Sequence, residues 1–377
     1  GWSIFVEAQR SEAATYPDSI FPDPASALVD AERKADFEEA DAHFVSGYFL
    51  TFLWLPPAEE AARTEAWLYE GREKTGVDPW ELMRGFIDRT DRVLALLDGF
   101  MPECHWIDDA GTLTYLHSTI STNRHRVRVP EVPMHLDALL ADQPLTGGLE
   151  PRLGDKHLRI LTIIGFPTAT TPGLLDEMNR LAFPYRWSTR AILMDKTDAT
   201  KLLTKIRRQW FAKRKSIAAI ADEKLRLVEK IIQGRDFTAM PETVNAVDAW
   251  LGSIPGHAYA NVRQPPISTL NLAHMIPLSA VWAGPERNEH LGAPPLLYGK
   301  TEGSTPFRLS LHVGDVGHTL VVGPTGAGKS VLLALMALQF RRYDRSQIFA
   351  FDFGGSIRVS ALAMGGDWHD LGGGLTE

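Results

Sequence analysis

Gly323-Pro324-Thr325-Gly326-Ala327-Gly328-Lys329-Ser330 is the stretch on which the reading of this chain turns. It fits the pattern G-x-x-x-x-G-K-[ST] at every fixed position. A short apolar run at 319–322, expected as a strand, leads into it. A second apolar run at 331–340, expected as a helix, leads out. That strand–loop–helix setting is what the motif requires. A polyphosphate needs many backbone N–H donors close together, and side chains beyond Cβ would block their approach, hence the glycines. The start of the helix adds unpaired donors and a partial positive charge. In this reading all eight residues contact a nucleotide. Lys329 reaches the β- and γ-phosphates as the catalytic cation, and the Ser330 hydroxyl reaches Mg²⁺, so ATP and Mg²⁺ are the implied ligands.

Downstream, the apolar run 347–351 reads as the next strand and ends at Asp352. An acid there could face Mg²⁺ or a neighbouring subunit, or it could cap the turn that follows. No further apolar run ending in an acid precedes Glu377. The expectation for 291–377 is therefore the first part of a P-loop ATPase domain, truncated before its catalytic carboxylate, loosely ordered and without turnover of its own. Upstream of the loop, Phe307, Leu309, Leu311 and Val313 alternate with polar residues. A turn at 314–317 then predicts a hairpin returning through 319–322. The stretch 252–290 is punctuated by prolines and reads as an extended connection.

Residues 1–290 read as a mixed α+β domain, with two halves at 1–130 and 156–250 that are each candidates for a ferredoxin-like layer. Helices are expected over 25–40, 79–97, 111–121, 172–182 and 201–233. Strands are expected over 48–55, 103–107, 157–166 and 187–194. Asp78 and Pro79 suit the start of the second helix. Asp198 and Gly234 suit the ends of the last.

The chain has 377 residues, with 47 acids against 39 strong bases and a net charge of −8. That length suits two or three domains. The composition excludes a disordered or collagen-like chain. The single cysteine, Cys104, excludes an internal disulfide and a cysteine-rich metal site, and suggests a reducing compartment. The chain opens at Gly1 and its first methionine is Met83, so its natural start is expected to be missing. No run approaches the ~18 apolar residues that span a bilayer, so membrane association would be peripheral.

Weaker signals carry more than one reading each. Lys201, Lys205, Arg207, Arg208, Lys213, Arg214 and Lys215 lie in 201–215 with Trp210 and Phe211 among them and no acid. This basic helix could meet DNA phosphate or anionic lipid. The plainer and favoured reading is a solvated face above a buried stripe of Leu202, Ile206, Trp210, Ile217 and Ile220; a third is docking onto the acidic segment 30–41 of this or another subunit. His312, Asp315 and His318 could ligate a metal, but their spacing around a Gly-rich turn reads as polar hairpin edges. His117, His125 and His135 lie in unrelated local contexts. Cys104 and His105, adjacent on an expected strand, would face opposite ways, so Cys104 is expected to be buried and structural.

Val281-Trp282-Ala283-Gly284-Pro285-Glu286, Ser304-Thr305-Pro306-Phe307 and Gly314-Asp315-Val316-Gly317-His318-Thr319, running into the loop, resemble the TrbE/VirB4 family of conjugative and type IV secretion ATPases. Phe166-Pro167 and the basic helix are similar to that family's N-terminal domain. The resemblance implies a RecA-like motor behind an α/β N-terminal domain. It implies hexamers, or dimers that become hexamers, at the cytoplasmic face of the bacterial inner membrane beside other secretion subunits. ATP hydrolysis there would support pilus biogenesis and transfer of DNA or protein. Gly323, Gly328, Lys329 and Ser330 carry the nucleotide role over; Phe353, after Asp352, departs from the family pattern. Two other readings stay open: a DNA-translocating coupling-type ATPase, and a non-catalytic assembly module.

Overall fold

The computed structural model describes residues 1–39, 42–55, 78–101, 103–167, 169–209, 223–257, 259–260, 262–276 and 281–371. The chain opens with β1 (Trp2–Glu12), α1 (Pro24–Glu39) and β2 (Phe44–Trp54). Helices α2 (Pro79–Leu97), α3 (Asp109–Ile120) and α4 (Leu136–Leu140) follow, then the short strands β3 (Leu145–Thr146), β4 (Arg152–Leu153) and β5 (Lys156–His157). Next come β6 (Leu161–Gly165), β7 (Tyr185–Ile192), α5 (Lys196–Gln209), α6 (Glu223–Gln233) and β8 (Thr238–Pro241). The chain continues through α7 (Ala246–Ser253), α8 (Thr269–Met275), β9 (Leu297–Gly299), β10 (Phe307–Leu309), α9 (Lys329–Phe340) and α10 (Arg358–Ala363). The result is mixed α and β with small sheets, as the composition of elements led us to expect. No described helix is long and apolar enough to cross a membrane.

The chain divides into two compact units. One holds Gly1–Ala8, Tyr48–Met178 and Trp187–Leu278; the other holds Gln9–Gly47, Asn179–Arg186 and Ser279–Glu377. In the first, β6 and β8 pair antiparallel with a bulge between Ile163 and Gly165, and α6 packs on β8. In the second, Leu296, Leu297, Met336 and Tyr343 form a buried core, with Leu309, Val321, Leu335 and Phe340 packed against it. There β9 and β10 pair antiparallel, Phe307 opposite Gly299, and α1 packs on α9.

A local signal located α2 well. The Asp78 side chain accepts from the Trp80 N–H at 3.0 Å and Pro79 opens α2. Asp108 does the same for α3 through Gly111 at 2.6 Å. Elsewhere the expectations need correcting. The sheet order β2-β1-β7 draws a strand from each expected half, so the halves are not separate ferredoxin-like layers. Strand β1 has no counterpart in the sequence reading, because Glu7 and Arg10 interrupt its apolar pattern although both are buried. Residues 103–107 are not a strand: Trp106 and Ile107 are exposed and no described strand pairs with them, while Cys104 is half-buried. The helix expected over 172–182 shrinks to one 3₁₀ turn, Asp176–Arg180, after Gly173 at φ +71°. The cap before α5 is Asp195, which accepts from the Asp198 N–H at 2.8 Å; Asp198 lies inside the helix. Of the helix expected over 201–233, residues 210–222 lie outside the described residues, as do the side chains of 205–209.

The hairpin expected around 314–317 keeps only its turn, in which Val313 and Val316 bridge each other. Strand β10 pairs with β9, and neither 319–322 nor 347–351 is a strand. Leu320, Val322, Phe349 and Phe351 in these runs are exposed, and no described strand supplies the hydrogen-bonded neighbour that a strand requires. Among the described residues no parallel sheet flanks the loop at 323–330.

Candidate functional site

Helix α9 begins at Lys329 directly after Gly328, whose backbone is left-handed at φ 80°, ψ 13°. Gly326 is also left-handed, at φ 83°. A Cβ at either would meet open space, so it is the backbone angle, not crowding, that calls for glycine there. At Gly323 an added Cβ would lie 3.6 Å from the Ala327 Cβ and 3.7 Å from Lys329 Cδ, so the loop closes on itself at its base. Pro324 O accepts from the Ala327 N–H at 3.3 Å, which tightens the turn.

The Lys329 ammonium folds back into this loop. It donates to Gly323 O and Pro324 O, at 2.7 Å each. Thr325, Gly326, Ala327, Gly328 and Ser330 are exposed, and Lys329 is half-buried. The first-turn N–H groups of α9 have no acceptor within the helix. The structure thus brings together a cation, a set of backbone donors and the Ser330 hydroxyl at one helix start. That donor set suits an anion, and a phosphate oxygen could replace either carbonyl beneath Lys329.

The far end of α9 is anchored more deeply. Arg342, fully buried, donates to Asp30 Oδ1 at 2.6 Å, to Gln339 Oε1 and to Pro295 O at 2.9 Å. Tyr16 donates to the same Asp30 oxygen at 2.7 Å. Burial, helped by the Asp30 hydrogen bond, pushes the Tyr16 hydroxyl up to about 12. Burial likewise pushes Tyr343 up to about 12, and its hydroxyl donates to Pro294 O at 3.1 Å. Sequence reasoning missed this cluster, because its members lie far apart along the chain and none belongs to a motif.

Asp352 takes the plainer of its two roles. Its carboxylate accepts from the Gly354 N–H at 3.0 Å, the Ile357 N–H at 3.0 Å and the Ser356 hydroxyl at 2.9 Å. Those bonds, the one from Gly354 foremost, hold its carboxyl below the usual range. It caps the turn into α10. His312 stacks on His290 with ring centroids 5.6 Å apart and does not gather with Asp315 and His318 into a ligand set. His117 and His125, by contrast, do meet, with ring centroids 4.4 Å apart, so the reading of unrelated contexts is overturned. The chain turns back after α3 at Ser121, and nothing in the spacing announces it.

Residues 1–62 match the family described as type IV secretion system ATPase VirB4/TrbE, N-terminal domain. The chain is 35% identical to "Conjugal transfer protein TrbE" of Rhizobium radiobacter, over 100% of this chain and 54% of that protein. It is 38% identical to a probable conjugal transfer protein TrbE of Sinorhizobium fredii, over 70% of this chain and 48% of that protein. It is 21% identical to "Type IV secretion system protein virB4" of Bartonella quintana, over 98% of this chain and 53% of that protein. The chain therefore spans about half the length of the curated relatives it matches.

Proposed function

From membership of the TrbE/VirB4 family, we propose that this chain is part of an ATP-binding subunit of a type IV secretion or conjugation machine. In this reading ATP hydrolysis supports pilus assembly and the transfer of DNA or protein. The subunit works as a homo-oligomer, peripheral at the cytoplasmic face of the inner membrane, beside the machine's other components. Residues 291–377 are the start of its P-loop domain, and 1–290 its N-terminal domain.

One observation carries the reading: the Lys329 ammonium sits within the Gly323–Gly328 turn at the open start of α9. There the backbone N–H groups of 326–330 would bind phosphate oxygens, and Lys329 would exchange its two carbonyls for them. The Ser330 hydroxyl would ligate Mg²⁺, which neutralises charge on the phosphates when bound. Thr325 and Ala327 would contribute through their backbone. Asp352 is engaged in its own turn and is given no part in this.

The test is Lys329→Ala in the natural full-length protein. Binding of a fluorescent ATP analogue should fall by at least ~10-fold, the loss of one charge-assisted contact. In cells the variant should assemble with its partners yet support no transfer. Unchanged nucleotide affinity would sink the proposal. Normal transfer by a variant that no longer binds nucleotide would favour the non-catalytic assembly module.

A further inference from the structure

Three side chains in the first unit meet although the sequence keeps them apart. One ring nitrogen each from His117 and His125 and one carboxylate oxygen from Asp142 all lie within 4.8 Å of one another. His117 is 2% exposed, on the inner face of α3, while His125 and Asp142 face solvent. The His117 Nε2 lies 3.1 Å from Asp142 Oδ2, within ion-pair reach. Two ligands around a tetrahedral ion with bonds near 2.05 Å stand about 3.3 Å apart, side by side rather than nitrogen to oxygen in line.

Further hydrogen bonds hold the segments that carry the three. Val127 N donates to Thr114 Oγ1 at 2.9 Å and Arg124 donates to Ser118 O at 2.9 Å, so the segment bearing His125 is tied back along α3. Gln143 Oε1 accepts from the Thr122 N–H at 2.9 Å and from its hydroxyl at 3.0 Å. Asn123 Nδ2 donates to Asp142 Oδ2 at 2.8 Å. Outer contacts of this kind aim ligands in metal sites.

We propose that His117 Nε2, His125 and Asp142 Oδ2 bind a Zn²⁺ ion that ties the end of α3 to the segments carrying His125 and Asp142. Two imidazoles and one carboxylate suit zinc better than magnesium or calcium, which prefer all-oxygen sets. Three protein ligands leave a fourth position for water or a further ligand.

The experiment titrates Zn²⁺ into tag-free, chelator-stripped full chain against a coloured zinc indicator. One equivalent should bind. His125→Ala and Asp142→Asn should each weaken that equivalent by at least ~10–100-fold, the cost of disturbing even an outer contact. Asp142→Asn keeps an acceptor for Asn123, and His125 is exposed, so both variants should fold with unchanged metal-free melting. Cobalt should give the visible absorption of a tetrahedral nitrogen–oxygen site in the wild type and lose it in both variants. No saturable equivalent in the wild type overturns the proposal. So does binding that both variants retain, which would place the ion elsewhere.

Discussion

At the scale of single residues, the loop and its helix are pinned at two points of different kinds. Gly328 holds a left-handed backbone that an L side chain adopts at a cost of about 1–2 kcal/mol. Gly328→Ala should therefore destabilise the start of α9 by that amount and weaken nucleotide binding. Chemical denaturation and a binding titration together check this, and an unchanged midpoint with unchanged affinity would refute it. Arg342 is the second point. Removing it leaves Asp30 buried with Tyr16 as its remaining hydrogen-bond donor. Breaking a buried pair typically costs about 3–5 kcal/mol, because the abandoned charge keeps its desolvation penalty. Arg342→Met should cost that much, and much less in an Asp30→Asn background. A double-mutant cycle should give a coupling of at least ~1 kcal/mol; additive losses would mean that the two do not act as a pair.

At the scale of elements, the far end of α9 packs among buried phenols that make it sensitive to alkali. Tyr16 and Tyr343 both ionise near 12 when folded, above their ordinary value of 10. A raised phenol contributes stability that is complete below the unfolded value and is lost as pH climbs toward the folded one. Stability should thus fall between pH 10 and about 12. The Tyr16→Phe, Tyr343→Phe variant should show a shallower fall, although Tyr298, also pushed up by burial, leaves part of the slope. Equal slopes in denaturant midpoint against pH would show that the phenols are not the cause. The same scale explains what the sequence could and could not tell. Helix α2 was legible because its capping carboxylate sits two residues from the N–H group it serves. The loop was legible because eight consecutive residues set its whole geometry. Strand β1 was not legible: Glu7 and Arg10 in its middle are buried, and Arg10 owes its burial to Leu181 O, Ser46, Ser304 and Thr305, remote positions that no local window contains. Residues 103–107 and 319–322 were misread for the converse reason. They have strand composition, but a strand exists only where a neighbour accepts its hydrogen bonds. His117, His125 and Asp142 were invisible because a turn, not a helical or strand period, brings them together.

At the scale of the whole molecule, the two proposed ligands belong to different compact units: the loop at 323–330 to the second, and the His117, His125 and Asp142 set to the first. A ligand that binds only the folded state stabilises it by about 2.7 kcal/mol at a hundred times its dissociation constant. Mg²⁺–ATP and Zn²⁺ should therefore each raise the unfolding temperature of the chain, and each through its own residues. Lys329→Ala should abolish the nucleotide shift and keep the zinc shift. His125→Ala should do the reverse, and the two substitutions combined should abolish both. Calorimetry with each ligand alone and with both together reads this directly. If either single substitution removed both shifts, the two ligand sets would not be separate sites, and the division of labour between the units would fail. If zinc moved nothing while nucleotide behaved as expected, the histidine pair would be a packing feature of α3, and the nucleotide reading would stand unaffected.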